Sequence, residues 1–99
     1  MERTVTVVPE DGLHARPATT FVEAASNFDA EITVEAVDDS RPPVAADSIL
    51  GVTGLGVRQG DEVRLIAEGT EAESALDALA NVISTPAGEI VDTPERAAE

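Results

Sequence analysis

The single histidine of the chain, His14, lies in the stretch DGLHARPATTF, residues 11–21. A neutral imidazole is a nucleophile, and its nitrogen can take up a phosphoryl group. Arg16, two residues on, carries an always-charged planar fork whose donors match phosphate oxygens. Pro17 suits the first position of a helix, where its missing N–H costs nothing. The opening N–H groups of a helix lack intrahelical partners and carry the positive end of the helix dipole. Such a terminus binds anions readily. An imidazole placed there would store a phosphoryl group whose oxygens meet the Ala15 and Arg16 N–H groups and the Arg16 side chain. Residue type alone leaves open a structural or simply exposed histidine.

What accompanies His14 bounds its chemistry. The sequence has no second histidine, no cysteine and no GxxxxGK phosphate loop. One imidazole without a ligand-spaced carboxylate cluster does not read as a metal site. No cofactor is implied. No general base or oxyanion arrangement attends the imidazole, so the site would accept and release a group rather than complete a reaction. A true enzyme using His14 as acid or base would need a partner carboxylate in a concave pocket.

Charge excludes further classes. Twenty acidic residues face six basic ones, giving a net charge of −14. All six basic residues are arginines, at 3, 16, 41, 58, 64 and 96. Such a surface repels nucleic acid and anionic membranes. No apolar run approaches the ~20 residues of a membrane span, and the N-terminus lacks the pattern of a secretory signal. The reading is a cytoplasmic protein without membrane insertion, and the lack of cysteine fits a reducing compartment. Acidic, lysine-free composition resembles proteins adapted to high salt, where self-repulsion is screened within about 3 Å at ~1 M ions.

The elements that must position His14 follow from periodicity. Ninety-nine residues hold one core. Residues 3–8 alternate as a strand, with Val5 and Val7 on one face. From Pro17, Ala18, Phe21, Val22, Ala25 and Phe28 recur at helical spacing, and Asn27 is a suitable stop. Residues 31–37 alternate again. Pro42 and Pro43 confine a short third strand, near residues 44–46, to an edge. A short helix begins after Ser48, a favoured N-cap, and ends near Gly56. Gly51 and Gly54 each weaken it by about 1 kcal/mol, so packing of Ile49, Leu50, Val52 and Leu55 must hold it. Residues 62–68 form a fourth strand with Val63, Leu65 and Ala67 inward. Thr70 and Glu73 form a capping-box pattern before a last amphipathic helix. Residues after 84 read as a loosely held tail. The order β-α-β-β-α-β-α predicts an α+β, two-layer open-faced sandwich with the helices on one face of an antiparallel sheet.

The stretch GLHARPA, residues 12–18, resembles the active-site signature of HPr, the histidine-containing phosphocarrier of the sugar phosphotransferase system. A second stretch, DSILGVTGLGVRQGDEV, residues 47–63, resembles the family's regulatory-serine segment and following turn. The resemblance covers residues 2–84, so the expected domain is 1–84 with a tail at 85–99. It implies a sheet order of 1-4-2-3. It further implies that phosphorylated enzyme I charges His14 at Nδ1, and that the group passes to the sugar-specific A component of a permease. Arg16 would orient the phosphate and Pro17 would hold the helix start. Thr19, Thr20, Ile49, Leu50, Thr53 and Gly54 would form the docking surface, and Ser48 matches a serine that a kinase modifies in some members. The carrier would be a substrate of other phosphotransferases, and a monomer because the His14 face must stay free. The chain departs from the family in lacking lysines around the site, where Glu23, Ser26 and Gly51 stand, in its DDSRPP turn, and in its tail.

Two other readings remain on sequence. The same carrier could serve a phosphotransferase-dependent dihydroxyacetone kinase, which the sequence does not separate from sugar transport. A ferredoxin-like module binding a small effector shares β-α-β-β-α-β, but needs neither His14 nor a third helix.

Overall fold

Alternating residues near the N-terminus form β1 (Glu2–Thr6). They lead through a turn into α1 (Ala15–Ser26), capped at its C-terminus by Asn27. The chain, seen in a computed structural model that describes residues 1–37 and 42–86, continues as β2 (Glu31–Ala36) and the two-residue β3 (Val44–Ala45). Then come α2 (Ile49–Gly54), β4 (Glu62–Glu68) and α3 (Ala72–Ile83).

The four strands form one sheet in the order β1-β4-β2-β3. All pairings are antiparallel, with Val5 opposite Val63, Val34 opposite Leu65, and Val44 opposite Val34. The strand delayed by two prolines is therefore at an edge. Period-two alternation sends Ile32, Val34, Val63, Leu65 and Ala67 into one core with Phe21, Val52, Leu76, Leu79 and Ile83 of the helices. The other sheet face is polar. There Arg64 of β4 bridges Glu35 of β2 and lies 3.9 Å from Glu2 of β1. Pairs this exposed contribute no more than about 1 kcal/mol. Arg3 reaches Asp77 of α3 at 2.6 Å.

Several local expectations change. Pro17 is the third helical residue rather than the first, still within the turn whose N–H groups have no intrahelical acceptor. Phe28 lies beyond the helix and is half-buried. The capping box at Thr70 and Glu73 does not form. The N-cap of α3 is Glu71, which makes no side-chain cap bond. Its carboxylate instead accepts from the Asp29 N–H at 2.6 Å, while the Glu71 N–H donates to the Asp29 carbonyl.

In α2, Val52 and Leu55 are buried as expected, but Ile49 is 44% and Leu50 82% exposed. Those two side chains do not hold the helix. Its support comes from the other two, from the Ser48 cap and from Gly56, whose φ of +67 follows the helix end. The DDSR part of the turn, residues 38–41, and the tail from 87 lie outside the described residues.

Candidate phosphoacceptor site

The loop before α1 is built to hold its last residue still. Val7 donates to the Asp61 carbonyl at 2.8 Å, and Val8 donates to the Ile83 carbonyl at 2.9 Å. Gly12 closes a turn on the Pro9 carbonyl at 2.9 Å. Its φ is +68, and a Cβ there would lie 2.2 Å from the Val57 carbonyl oxygen. Only glycine fits this approach without displacing backbone. Leu13, 1% exposed, plugs the loop into the core. His14, the next residue, is exposed.

His14 is the N-cap residue of α1, with extended backbone (φ −136, ψ 163) and no side-chain cap bond. Its carbonyl accepts from the Ala18 N–H at 3.4 Å. The imidazole is thus not used to finish the helix. Ala15 and Arg16 are the first two helical residues, and Pro17 has no N–H. Free amide donors in the first turn therefore belong to Ala15 and Arg16, beside the imidazole. Pro17 and Ala18 are buried, fixing the turn on the core, whereas Arg16 is exposed and has no ion-pair partner among the described residues.

Ala15 has φ +53, a left-handed conformation that costs a non-glycine residue roughly 1–2 kcal/mol. Nothing in the sequence signals it, because alanine gives no hint of positive φ. This unfavourable backbone sits between His14 and Arg16.

The remaining residues singled out in the sequence sit on α1 and α2, which pack against each other. Thr19 is exposed and donates to the Ala15 carbonyl at 3.1 Å. The Thr20 hydroxyl oxygen is buried without a hydrogen-bond partner. Thr53 donates to the Ile49 carbonyl at 2.8 Å. Gly54 is exposed. Leu50 walls a shallow apolar hollow with Pro42, Val44, Gly51, Gly54 and Leu55. The Ser48 hydroxyl accepts from the Gly51 N–H at 3.1 Å, so the cap is made.

This geometry, an exposed imidazole at a helix start two residues before an exposed arginine, coincides with a family match over nearly all the described residues. The profile described as the PTS HPr component phosphorylation site matches residues 1–85. The chain belongs to the HPr family. It is a phosphocarrier of the phosphotransferase system. It is similar to the phosphocarrier protein HPr of Haloferax volcanii, with 60% identity over 86 residues, 87% of this chain and 96% of the relative. The salt-adapted reading of the composition fits that source. It also resembles the multiphosphoryl transfer protein of Salmonella typhimurium, 41% identical over 80 residues, which are 81% of this chain but 21% of that protein. Among solved structures, HPr from Thermoanaerobacter tengcongensis is 43% identical with a TM-score of 0.81, covering 92% of this chain and 99% of that one.

Proposed function

We propose that His14 is the phosphoacceptor, charged by phosphorylated enzyme I and discharged to the sugar-specific A component of a permease. On charging, the His14 imidazole nitrogen, Nδ1 by the family resemblance, attacks phosphorus. The new N–P bond forms as the donor's bond to phosphorus breaks, and the ring keeps the proton on its other nitrogen. On discharge the acceptor's nucleophile attacks the same phosphorus and that nitrogen is the leaving group. The Ala15 and Arg16 N–H groups and the Arg16 guanidinium receive the phosphate oxygens. The carrier is a substrate turned over by its partners, a reading supported by its family and by relatives named as phosphocarriers.

The observation that carries this reading is the exposed, uncommitted His14 side chain at the start of α1. The apolar patch of Ile49 and Leu50, with Thr19, Thr20, Thr53 and Gly54 around it, is the docking surface. Its support is the exposure of two large aliphatic side chains beside α1 on a chain otherwise rich in charge. Ser48 is a second modification position: a phosphate there would set negative charge beside Asp47 at the edge of that surface and weaken docking. The carrier domain is assigned to residues 1–84 and the tail to 85–99, supported by the end of α3 at Ile83 and the family match to residue 85. The carrier works as a monomer in the cytoplasm. None of the helices among the described residues is long and apolar enough to cross a membrane.

The test is labelling from phosphoenolpyruvate with a compatible enzyme I in high salt. An acid-labile, alkali-stable label that is lost in His14→Ala and chased onto an A component supports the assignment. Labelling that persists in His14→Ala refutes it.

A further inference from the structure

Arg58 lies outside the His14 motif, on the turn between α2 and β4. We propose that Arg58 is a second guanidinium for the phosphoryl group on His14, working with Arg16. The inference rests on His14 being the phosphoacceptor.

Three observations carry it. The first is proximity. A Cβ on Gly12 would lie 3.0 Å from the Arg58 Cα, so the two backbones touch. Gly12 and His14 are two residue steps apart, a span of at most ~7 Å. The long Arg58 stem covers a distance of that order, and the residue is exposed.

The second is bracing. The Arg58 N–H donates to Asp61 Oδ2 at 2.9 Å, and the Asp61 N–H returns to the Arg58 carbonyl at 3.0 Å. Gly60 donates to the Val7 carbonyl at 2.8 Å, and Gln59 Nε2 to the Val8 carbonyl at 2.9 Å. The turn carrying Arg58 is therefore tied to the same loop that ends in His14.

The third is the distribution of ion pairs. Arg3 is paired with Asp77, and Arg64 with Glu35 and Glu2. Among the described residues Arg16 and Arg58 have no ion-pair partner, although the chain carries twenty acidic groups. The Asp61 carboxylate is taken up by the Arg58 backbone, not its guanidinium. Glu10 and Asp11, on the adjoining loop, are exposed. A phosphoryl group arriving at His14 meets their negative field, and two uncommitted guanidiniums flanking it offset that repulsion.

The test uses the full chain alone, in potassium chloride sufficient to keep it folded by circular dichroism. Phosphoramidate serves as donor. The imidazole N–P bond forms as the donor P–N bond breaks, and ammonia leaves after taking a proton from solvent. In Arg58→Ala, labelling is expected to slow about fivefold, the scale of one close charge contact in water. The phosphorus-31 resonance of the product should move, and Arg58→Lys should recover much of the rate. The thermal midpoint should stay within error of the parent. Parental labelling and an unmoved resonance in Arg58→Ala overturn the proposal. A second measurement takes phosphorylated enzyme I as donor: slowing there with parental labelling by phosphoramidate also overturns it, since Arg58 would then serve the partner's surface. Labelling of His14→Ala by phosphoramidate would instead defeat the underlying assignment of His14.

Discussion

Replacing Gly12 by alanine tests the support beneath the site. Two costs arise. A non-glycine residue at φ +68 costs about 1–2 kcal/mol. The added Cβ would sit 2.2 Å from the Val57 carbonyl oxygen, so backbone must shift. Forced overpacking of this kind costs about 1–3 kcal/mol. Stiffening of the unfolded chain returns about 0.4–1 kcal/mol. The net loss is about 1–5 kcal/mol, centred near 3, a large part of the ~5–15 kcal/mol typical of a domain. At about 4–8 °C per kcal/mol for a chain of this size, a loss near 3 kcal/mol should lower the midpoint by ~12–24 °C. Thermal unfolding at one fixed, high salt concentration reads this directly. Gly54→Ala is the control. No atom of the described residues lies within 4 Å of its added Cβ and its φ is not positive. It should be neutral or stabilising by up to about 1 kcal/mol. If Gly12→Ala unfolds at the parental temperature, the loop does not rest on Val57 and the stated positioning of His14 is wrong.

Ser48→Ala should cost about 1 kcal/mol, because it orphans the Gly51 N–H at the start of α2; denaturant unfolding measures it. Ala15→Val should cost at least about 1–2 kcal/mol, since a β-branched residue tolerates φ +53 worse than alanine, and Ala15→Gly should not. Leu50→Ala should leave the unfolding midpoint within about 0.5 kcal/mol of the parent, since the side chain is 82% exposed. It should also raise the Kd for enzyme I about tenfold by calorimetry, the scale of an interface anchor; unchanged affinity would remove the patch from the docking surface.

Much of the framework is legible because it rests on short-range rules. Alternation in β1, β2 and β4 forces their faces, the proline pair sends β3 to an edge, and Asn27 and Ser48 end and begin helices as their side chains favour. The failures have tertiary causes. Thr70 and Glu73 have the right spacing for a cap, but Glu71 is drawn into reciprocal bonds with Asp29, and the helix starts one residue later than the pattern allows. Ile49 and Leu50 share helical spacing with Val52 and Leu55, yet spacing does not say which face has a neighbour. At the site, His14, Arg16 and Pro17 fall within four consecutive residues and so are visible. The positive φ of Ala15 is a product of the packed loop, and alanine does not announce it. Arg58 is distant in sequence, and its approach to the Gly12 loop arises from chain crossing. The one local signal is Gly12 itself, the glycine that opens the motif, marking where another strand of backbone comes close.

The central claim is most directly tested by nitrogen-15 and phosphorus-31 NMR of the chain phosphorylated through enzyme I. The account predicts one phosphorus resonance, coupled to a ring nitrogen of His14. The Ala15 and Arg16 amide resonances should shift most, as their N–H groups engage phosphate oxygens. A phosphorylated chain whose His14 ring signals are those of the free protein would contradict it.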